Sequence, residues 1–164
     1  MTDRSATTQV YRVVIKASAQ AIWEAITSPD WSERWGYGGR VEYDMKPGGR
    51  FCHHAAAEMK AMGLPDEMIV GEVVEADPPR KLVQTWHPQW SEESKAETPS
   101  RLTYEIIENQ GGVCTLTVYH DVAGAPSVGG MIGGGGDPAQ GGGGWPWALS
   151  DLKTLLETGT RMSA

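Results

Sequence analysis

Apolar side chains recur along the first part of the chain with two different periods. Residues 11 to 16 alternate between an apolar face and a more polar face, which predicts a strand with one side buried. Residues 19 to 27 place apolar side chains at helical spacing, and Ser18 stands where a helix N-cap belongs. The pattern therefore predicts a strand followed directly by a helix.

A second, short helix is predicted after the first. Residues 28 to 30 read Ser-Pro-Asp, which ends one helix and favours the start of another. Asp30 and Glu33 have the spacing of a capping box. Trp31 and Trp35 lie four residues apart on one side of this segment, and we expect them to pack into the core.

The middle of the chain has the alternation of an antiparallel meander. Further strands are predicted at residues 41–45, 51–54, 68–75, 82–86, 102–108 and 113–120. Turn signals separate them, among them Pro47-Gly48-Gly49 and a hairpin connection at residues 109–112. A polar insert from residue 88 to residue 99 interrupts the series, and its Trp90 is expected to be exposed.

Composition changes sharply between residues 124 and 144, where 11 of the chain's 21 glycines lie. Because glycine loses much backbone entropy on ordering, this segment is predicted to be a mobile loop and not a packed element. Two roles are open for it, a compliant gate to a cavity or a tolerated surface insertion. A helix is predicted over residues 145–158, with Pro146 in its first turn and Gly159 at its C-terminal stop.

The order of elements predicts one domain of the α+β class. A run of strands followed by a final helix is typical of an antiparallel sheet with its helices on one face. We expect a curved sheet of about six or seven strands wrapped on a long C-terminal helix. Residues 1–164 form this one domain, with residues 1–9 as a polar tail.

Charge and composition argue against several classes of function. The net charge of -7 disfavours nucleic-acid binding, which needs a basic surface. No apolar run is long enough to span a membrane, and residues 1–9 lack the apolar centre of a signal peptide, so a soluble, cytoplasmic protein is expected. Cys52 and Cys114 have no paired spacing and the four histidines lack the spacing of a zinc site, so neither a disulfide nor a metal is expected.

Several segments resemble a known family when taken in order. They are Ile15–Ser18 with Ile22-Trp23, then Trp31–Trp35, Met45–Phe51, Gly71–Leu82, Thr85-Trp86, and Gly143–Trp145 with Leu149–Gly159. The most specific is Glu-Val-x-Glu-x-Asp-Pro-Pro-Arg-x-Leu, at residues 72–82. Together they are similar to the family named for homology to an activator of the ninety-kilodalton heat-shock chaperone's ATPase, in the START-like superfamily. The resemblance implies a helix-grip fold with a cavity between the sheet and the C-terminal helix.

Strand alternation assigns side chains to the face that would line such a cavity. On the last strand, Leu116 and His120 share the apolar face, which is expected to look toward the C-terminal helix. Six residues are predicted to bind a ligand: Tyr43, His53, Trp86, Tyr104, His120 and Trp145. The alternative is that these side chains fill the core and satisfy their own polar tips.

The favoured function is binding of a small hydrophobic or aromatic molecule, without catalytic residues or a cofactor. Apolar walls would supply affinity, and histidine and tyrosine tips would orient a carbonyl or hydroxyl group. One alternative is an enzyme of the polyketide-cyclase type, with His120 or His53 as acid or base and Tyr104 as an oxyanion donor. Another, implied by the family name, is a co-chaperone or stress-linked interaction module with a protein partner or a homodimer.

Overall fold

The computed structural model describes residues 7 to 162 of the chain. Within them, seven strands form one sheet in the order β1-β7-β6-β5-β4-β3-β2, and every neighbouring pair is antiparallel. The strands are β1 (Thr8–Ile15), β2 (Val41–Tyr43), β3 (Arg50–His54), β4 (Glu67–Asp77), β5 (Lys81–Pro88), β6 (Ser100–Glu108) and β7 (Cys114–Asp121). The predicted α+β class is confirmed.

The helices lie between and after these strands. They are α1 (Ala19–Thr27), α2 (Pro29–Ser32), α3 (Ala57–Ala61), α4 (Glu92–Ala96), α5 (Pro126–Ile132) and α6 (Gly144–Thr158), with a 3-10 turn at Pro138–Gln140. The predicted C-terminal helix corresponds to α6, which packs against β1, α1 and α5. Gly159 ends it with a left-handed backbone (φ 81°), as the C-terminal stop predicts. None of the helices in this described part is both long and apolar enough to cross a membrane.

Local capping explains where the first two helices begin. The Ser18 hydroxyl accepts a hydrogen bond from the Ala21 N–H (3.1 Å), so Ser18 is the N-cap of α1. The capping box predicted for α2 is wrong, because its N-cap residue is Ser28. Asp30 lies inside the first turn, and its carboxylate instead accepts from the Arg40 guanidinium (3.1 Å).

The core lies between the inner face of the sheet and the helices. Alternate residues of β6 and β7 are buried there, as the alternation predicts: Leu102, Tyr104, Ile106, Cys114, Leu116, Val118 and His120. Helices α1 and α6 pack onto this face with Ile22, Leu149 and Leu152. Burying one such aliphatic side chain stabilises the fold by about 1.5–3 kcal/mol.

A buried carboxylate joins α6 to a loop and to the segment after the helix. Asp151 is fully buried, and its Oδ2 accepts hydrogen bonds from the Gly36 N–H (2.9 Å) and the Arg161 guanidinium (3.1 Å). Its Oδ1 accepts from the Met162 N–H (2.8 Å). A buried charge is tolerated when it is paired and hydrogen-bonded in this way. The loop around Gly36 is thereby held beside α6.

The glycine-rich segment at residues 124–144 contains packed structure, so the predicted absence of a packed element is wrong. Helix α5 buries two aliphatic side chains, and the Glu97 carboxylate accepts a hydrogen bond from the Ser127 N–H (2.8 Å). Gly144 has a φ of +60°, and a Cβ there would lie 2.2 Å from the Ile132 carbonyl oxygen. Glycine therefore permits a close approach of α5 to α6 at this point. Mobility of the segment stays a prediction.

Candidate functional site

A cavity of about 340 Å³ lies between the inner face of the sheet, the start of α6 and the loop at residues 35–38. Helix α5 contributes Met131 and Ile132 to its wall. Eight aromatic side chains line it: Trp35, Tyr37, Tyr43, Phe51, Trp86, Trp90, Tyr104 and Trp145. Sites that hold small molecules are concave and mostly apolar, and their volumes begin at about 300 Å³.

Five of the six residues predicted to bind a ligand line this one cavity: Tyr43, His53, Trp86, Tyr104 and Trp145. They stand on β2, β3, β5, β6 and α6, so folding brings together side chains that are far apart in the chain. The sixth, His120, does not line the cavity. The role of these residues in binding stays a prediction.

His120 lies behind the cavity wall. Its ring is fully buried and packs edge-on against Trp86, with 5.0 Å between ring centroids. The Trp145 indole N–H donates to His120 Nδ1 (3.1 Å), and His120 Nε2 lies 2.7 Å from Ser100 Oγ. His120 is therefore not part of the cavity wall, and a role for it in binding stays a prediction. Alternation places it on the correct face, but the indoles of neighbouring elements cover it.

These contacts define the protonation of His120. The Ser100 hydroxyl donates to the Trp86 carbonyl (2.8 Å), so Ser100 Oγ accepts from His120 and the ring proton is on Nε2. The other ring nitrogen accepts from Trp145, which leaves the imidazole neutral. Burial lowers the pKa of His120 to about 4, in agreement with a neutral ring. A histidine engaged at both nitrogens orients the start of α6.

Tyr43 is held in place by a buried amide. Its hydroxyl donates to Gln84 Oε1 (2.6 Å), and Gln84 is fully buried on β5. Burial raises the pKa of Tyr43 well above its ordinary value, and the neighbouring Tyr104 adds to the shift. The Tyr43 phenol is therefore neutral, and its proton is already donated to Gln84.

Tyr104 differs from Tyr43 in having no such partner. Its side chain lines the cavity from β6 and meets the Trp145 ring edge-on, with 5.9 Å between centroids. Within residues 7–162 the Tyr104 hydroxyl forms no hydrogen bond, and its oxygen is not sealed off by protein atoms. Burial raises its pKa, so the hydroxyl keeps its proton. It is a hydrogen-bond donor left available inside an apolar space.

His53 faces the loop that forms one rim of the cavity. Its Nε2 lies 2.8 Å from the Gly38 carbonyl oxygen, which can only accept, so Nε2 carries the proton. Burial lowers the pKa of His53, which favours the neutral ring. The adjacent His54 points to the other face of β3, where its ring nitrogens lie near Glu42 (3.2 Å) and Asp66 (3.1 Å).

Trp90 belongs to the cavity wall, which the sequence analysis does not predict. Trp90 was expected to be exposed because its segment is polar, but it is half-buried and meets Trp86 edge-on at 5.9 Å. The polar insert folds back through α4, which lies against β5. The signal in the sequence is a single large aromatic side chain within a polar insert. Such a side chain can hold the insert in place by packing against other aromatic rings.

The loop at residues 35–38 is tied to the start of α6. The Tyr37 hydroxyl accepts from the Gly143 N–H (2.8 Å), and its ring stacks on Trp147 with 4.8 Å between centroids. The Trp35 indole N–H donates to the Ala25 carbonyl (2.8 Å), which fixes the same loop to α1. One rim of the cavity is therefore held from two sides.

Formal charge is missing from the lining. Among the described residues, no Asp, Glu, Lys or Arg side chain contributes to the cavity wall. Residues 7–162 also contain no group of three or more His, Cys, Asp or Glu arranged to hold a metal ion. The site can therefore offer dispersion, aromatic contacts and a few neutral hydrogen bonds.

The sequence of residues 16–157 matches a family model described as Activator of Hsp90 ATPase homolog 1-like protein. The chain belongs to this family. The AHSA1 match covers both the sheet and α6, and it agrees with the resemblance found in the sequence. A search of curated proteins finds no match.

Solved structures share the fold of this AHSA1 protein at low sequence identity. CalU16 from Micromonospora echinospora is 19% identical over 93% of this chain and 77% of that chain, with a TM-score of 0.62. PFC0360w, an HSP90 activator from Plasmodium falciparum, is 20% identical over 96% and 91%, with a TM-score of 0.56. The Aha1 dimer from Colwellia psychrerythraea is 15% identical over 93% and 97%, with a TM-score of 0.59. At these identities the likeness establishes the fold alone.

Proposed function

We propose that this AHSA1 protein binds a small, largely apolar molecule in the cavity between the sheet and α6. The observation that supports the proposal is the cavity itself, about 340 Å³ with walls that are mostly apolar and aromatic. Concave apolar spaces of this size are where proteins hold small molecules, which supports a ligand as the occupant.

The protein-interaction alternative is less well supported by the surface. The HSP90 activator and the Aha1 dimer among the structural relatives motivate it. An aromatic patch on the surface would favour such a role. The exposed large apolar side chains among residues 7–162 are Val10, Val14, Met62, Val74, Ile107 and Met162, and none of these is aromatic. A protein partner, a stress-linked role and a cytoplasmic location stay predictions.

An enzymatic role needs a group that can give or take a proton at the ligand. His120 does not reach the cavity, and both its nitrogens are engaged. His53 lines the cavity, but its Nε2 proton is directed to Gly38. Tyr104 holds its proton too strongly to act as a base, because burial raises its pKa. These observations favour binding without turnover.

The test is to fill the cavity and measure the loss of binding. Prodan, a neutral naphthalene ketone whose emission shifts to the blue in apolar surroundings, serves as the probe. We expect saturable binding in the micromolar range, about -8 kcal/mol, with the emission shift of an apolar site. Ala148 lines the cavity from α6, so Ala148→Phe should reduce the affinity at least about tenfold by occupying the space.

The matched control is Ser150→Phe, which adds the same ring to the exposed side of the same helix. It should bind prodan like the unaltered protein. Equal affinities for all three proteins would place the dye on the surface. The absence of binding by prodan and by a wider panel of neutral apolar compounds would contradict the proposed function.

A further inference from the structure

The polar groups in the cavity wall are neutral. Some of them already have partners, whereas the indole N–H groups of the half-buried Trp86 and Trp90 have no acceptor within residues 7–162. Tyr43 donates to Gln84, and the Tyr37 oxygen accepts from the Gly143 N–H. Ser32 Oγ lies within 3.1 Å of the Gly39 carbonyl and accepts from the Val41 N–H (3.0 Å). A ligand in this cavity therefore meets neutral polar groups and no fixed charge.

The Tyr104 hydroxyl differs from these groups, because among the buried polar side chains of the wall that the structure describes, Ser32 and Tyr104, it alone lacks a partner. It has no hydrogen-bond partner within residues 7–162, and it lines the cavity beneath the Trp145 ring. A ligand that displaces water from this hydroxyl without replacing the hydrogen bond would cost free energy, and a ligand oxygen that accepts the proton avoids that cost. The wall thus contains a buried donor, the Tyr104 hydroxyl, that favours a ligand with an acceptor.

Size and shape restrict the ligand further. An apolar cavity of roughly 150 Å³ holds benzene, so about twice that space suits two or three fused rings. The measured volume is about 340 Å³. Indole and phenol rings supply most of the lining, and such rings pack best against another flat ring system, stacked or edge-on.

We propose that the ligand is a neutral, flat aromatic molecule of two or three rings with a carbonyl or ether oxygen that accepts a hydrogen bond from Tyr104. The inference rests on the proposed function and restricts the class of ligand that the cavity would bind. A carboxylate is excluded as the ligand's polar group, because the wall offers no cation to pair with it. Neutral ketones and ethers meet both requirements, because they accept a hydrogen bond from Tyr104 and bring no charge into the cavity.

Isothermal titration calorimetry with three isosteric naphthalenes tests the inference on the full-length protein at pH 7.5. The probes are 2-acetylnaphthalene, 2-ethylnaphthalene and 2-naphthoate. We expect the ketone to bind, and the naphthoate to bind at least about a hundredfold more weakly, since its charge would be buried without a partner.

Tyr104→Phe isolates the hydrogen bond. It should weaken 2-acetylnaphthalene about tenfold, the usual worth of a lost neutral hydrogen bond in a buried site. It should leave 2-ethylnaphthalene unchanged, because that probe has no acceptor. The control is Tyr119→Phe, which removes a hydroxyl from the sheet at a side chain that does not line the cavity and should change neither affinity.

The outcomes separate the two proposals. If none of the naphthalenes binds, the proposed function fails. If the ketone and the hydrocarbon bind equally well to the unaltered protein and to Tyr104→Phe, the cavity binds ligands but the inference about Tyr104 is wrong. Tighter binding of naphthoate that disappears in His53→Gln would also overturn it, because His53 would then supply a charge. Should Tyr104→Phe fail to fold, the comparison of ketone with naphthoate still decides the question of charge.

Discussion

The imidazole of His120 lies between two indoles, with centroid distances of 5.0 Å to Trp86 and 6.2 Å to Trp145. Its neutral tautomer accepts from Trp145 and donates to Ser100. Protonation would put a second N–H on Nδ1, facing the indole N–H of Trp145, and two donors would then oppose each other. The cavity wall formed by Trp145 therefore depends on the charge of a residue that never reaches the cavity.

Acid should destabilise the fold through His120. Its pKa in the folded state is about 4, below its ordinary value of 6.5, so the unfolded chain takes up the proton first as the pH falls. The contribution is complete above about pH 6.5 and is lost progressively toward pH 4, by roughly 3 kcal/mol. His53, whose pKa burial also lowers, acts in the same direction. Urea unfolding measured between pH 7.5 and 4 checks this expectation.

His120→Asn provides the control for the pH dependence. Asparagine does not titrate, so this variant should be less stable at pH 7.5 but should lose less stability on acidification. An identical slope for the variant and the unaltered protein between pH 6.5 and 4 would mean that His120 is not the titrating group.

At the scale of the elements, two glycines near the junction of α5 and α6 have opposite effects on the stability of the fold. Gly144 begins α6 with a positive φ and lies against the Ile132 carbonyl. Gly130 lies in the middle of α5, exposed, with open space where a Cβ would be. The first is needed for a close approach of backbones, whereas the second only weakens its helix.

Two alanine substitutions should therefore shift stability in opposite directions. Gly144→Ala should lower the free energy of unfolding by about 1–3 kcal/mol, because alanine is strained at this φ and would clash with Ile132. Gly130→Ala should raise it by up to about 1 kcal/mol through helix propensity. Denaturant unfolding of both variants measures the difference. A neutral result for Gly144→Ala would show that the junction between the helices can shift to admit a side chain.

The same glycines explain why part of this region could not be predicted. Alternation and helical spacing correctly predict β6, β7, α1 and α6, because burial on one face imposes a period on the sequence. Glycine has no side chain to show a period, so the helical signal of α5 is limited to Pro126 and the spacing of Val128, Met131 and Ile132, which is short beside the surrounding glycines. Alternation predicts the face of a strand on which a side chain lies, but it does not predict which side chains of other elements cover that face. For this reason the sequence places neither His120 behind the cavity wall nor Trp90 in it.

In the molecule as a whole, the cavity has one wall made of sheet and another made of short, separately anchored pieces. Strands β2 to β6 are joined by antiparallel ladders, with register shifts at His53/His54 and Val73/Glu75. The opposite wall consists of the loop at residues 35–38, α5 and the first turn of α6. Side-chain contacts hold these pieces, for example between Glu97 and Ser127. Access to the cavity should therefore require motion on the helical side.

Hydrogen exchange should locate that motion. Without ligand, residues 124–144 should exchange faster than the strands, because few long-range backbone hydrogen bonds hold them. With saturating prodan, α5 and residues 145–149 should gain protection together, as expected of a gate. The hairpin at residues 75–83, which contributes no residue to the cavity wall, serves as the internal reference. Unchanged exchange in both segments would favour the alternative, a surface insertion that has no role in access.

Four of the chain's seven tryptophans line the cavity: Trp35, Trp86, Trp90 and Trp145. Indole emission depends on local polarity and on energy transfer to nearby chromophores, so the cavity wall carries its own optical reporters. An occupant that absorbs where tryptophan emits would quench this light without any attached label. Replacing the four indoles one at a time with phenylalanine would then show which side of the space a given molecule occupies. Tryptophan lifetimes of the protein purified from its own host would reveal a natural occupant before its chemistry is known.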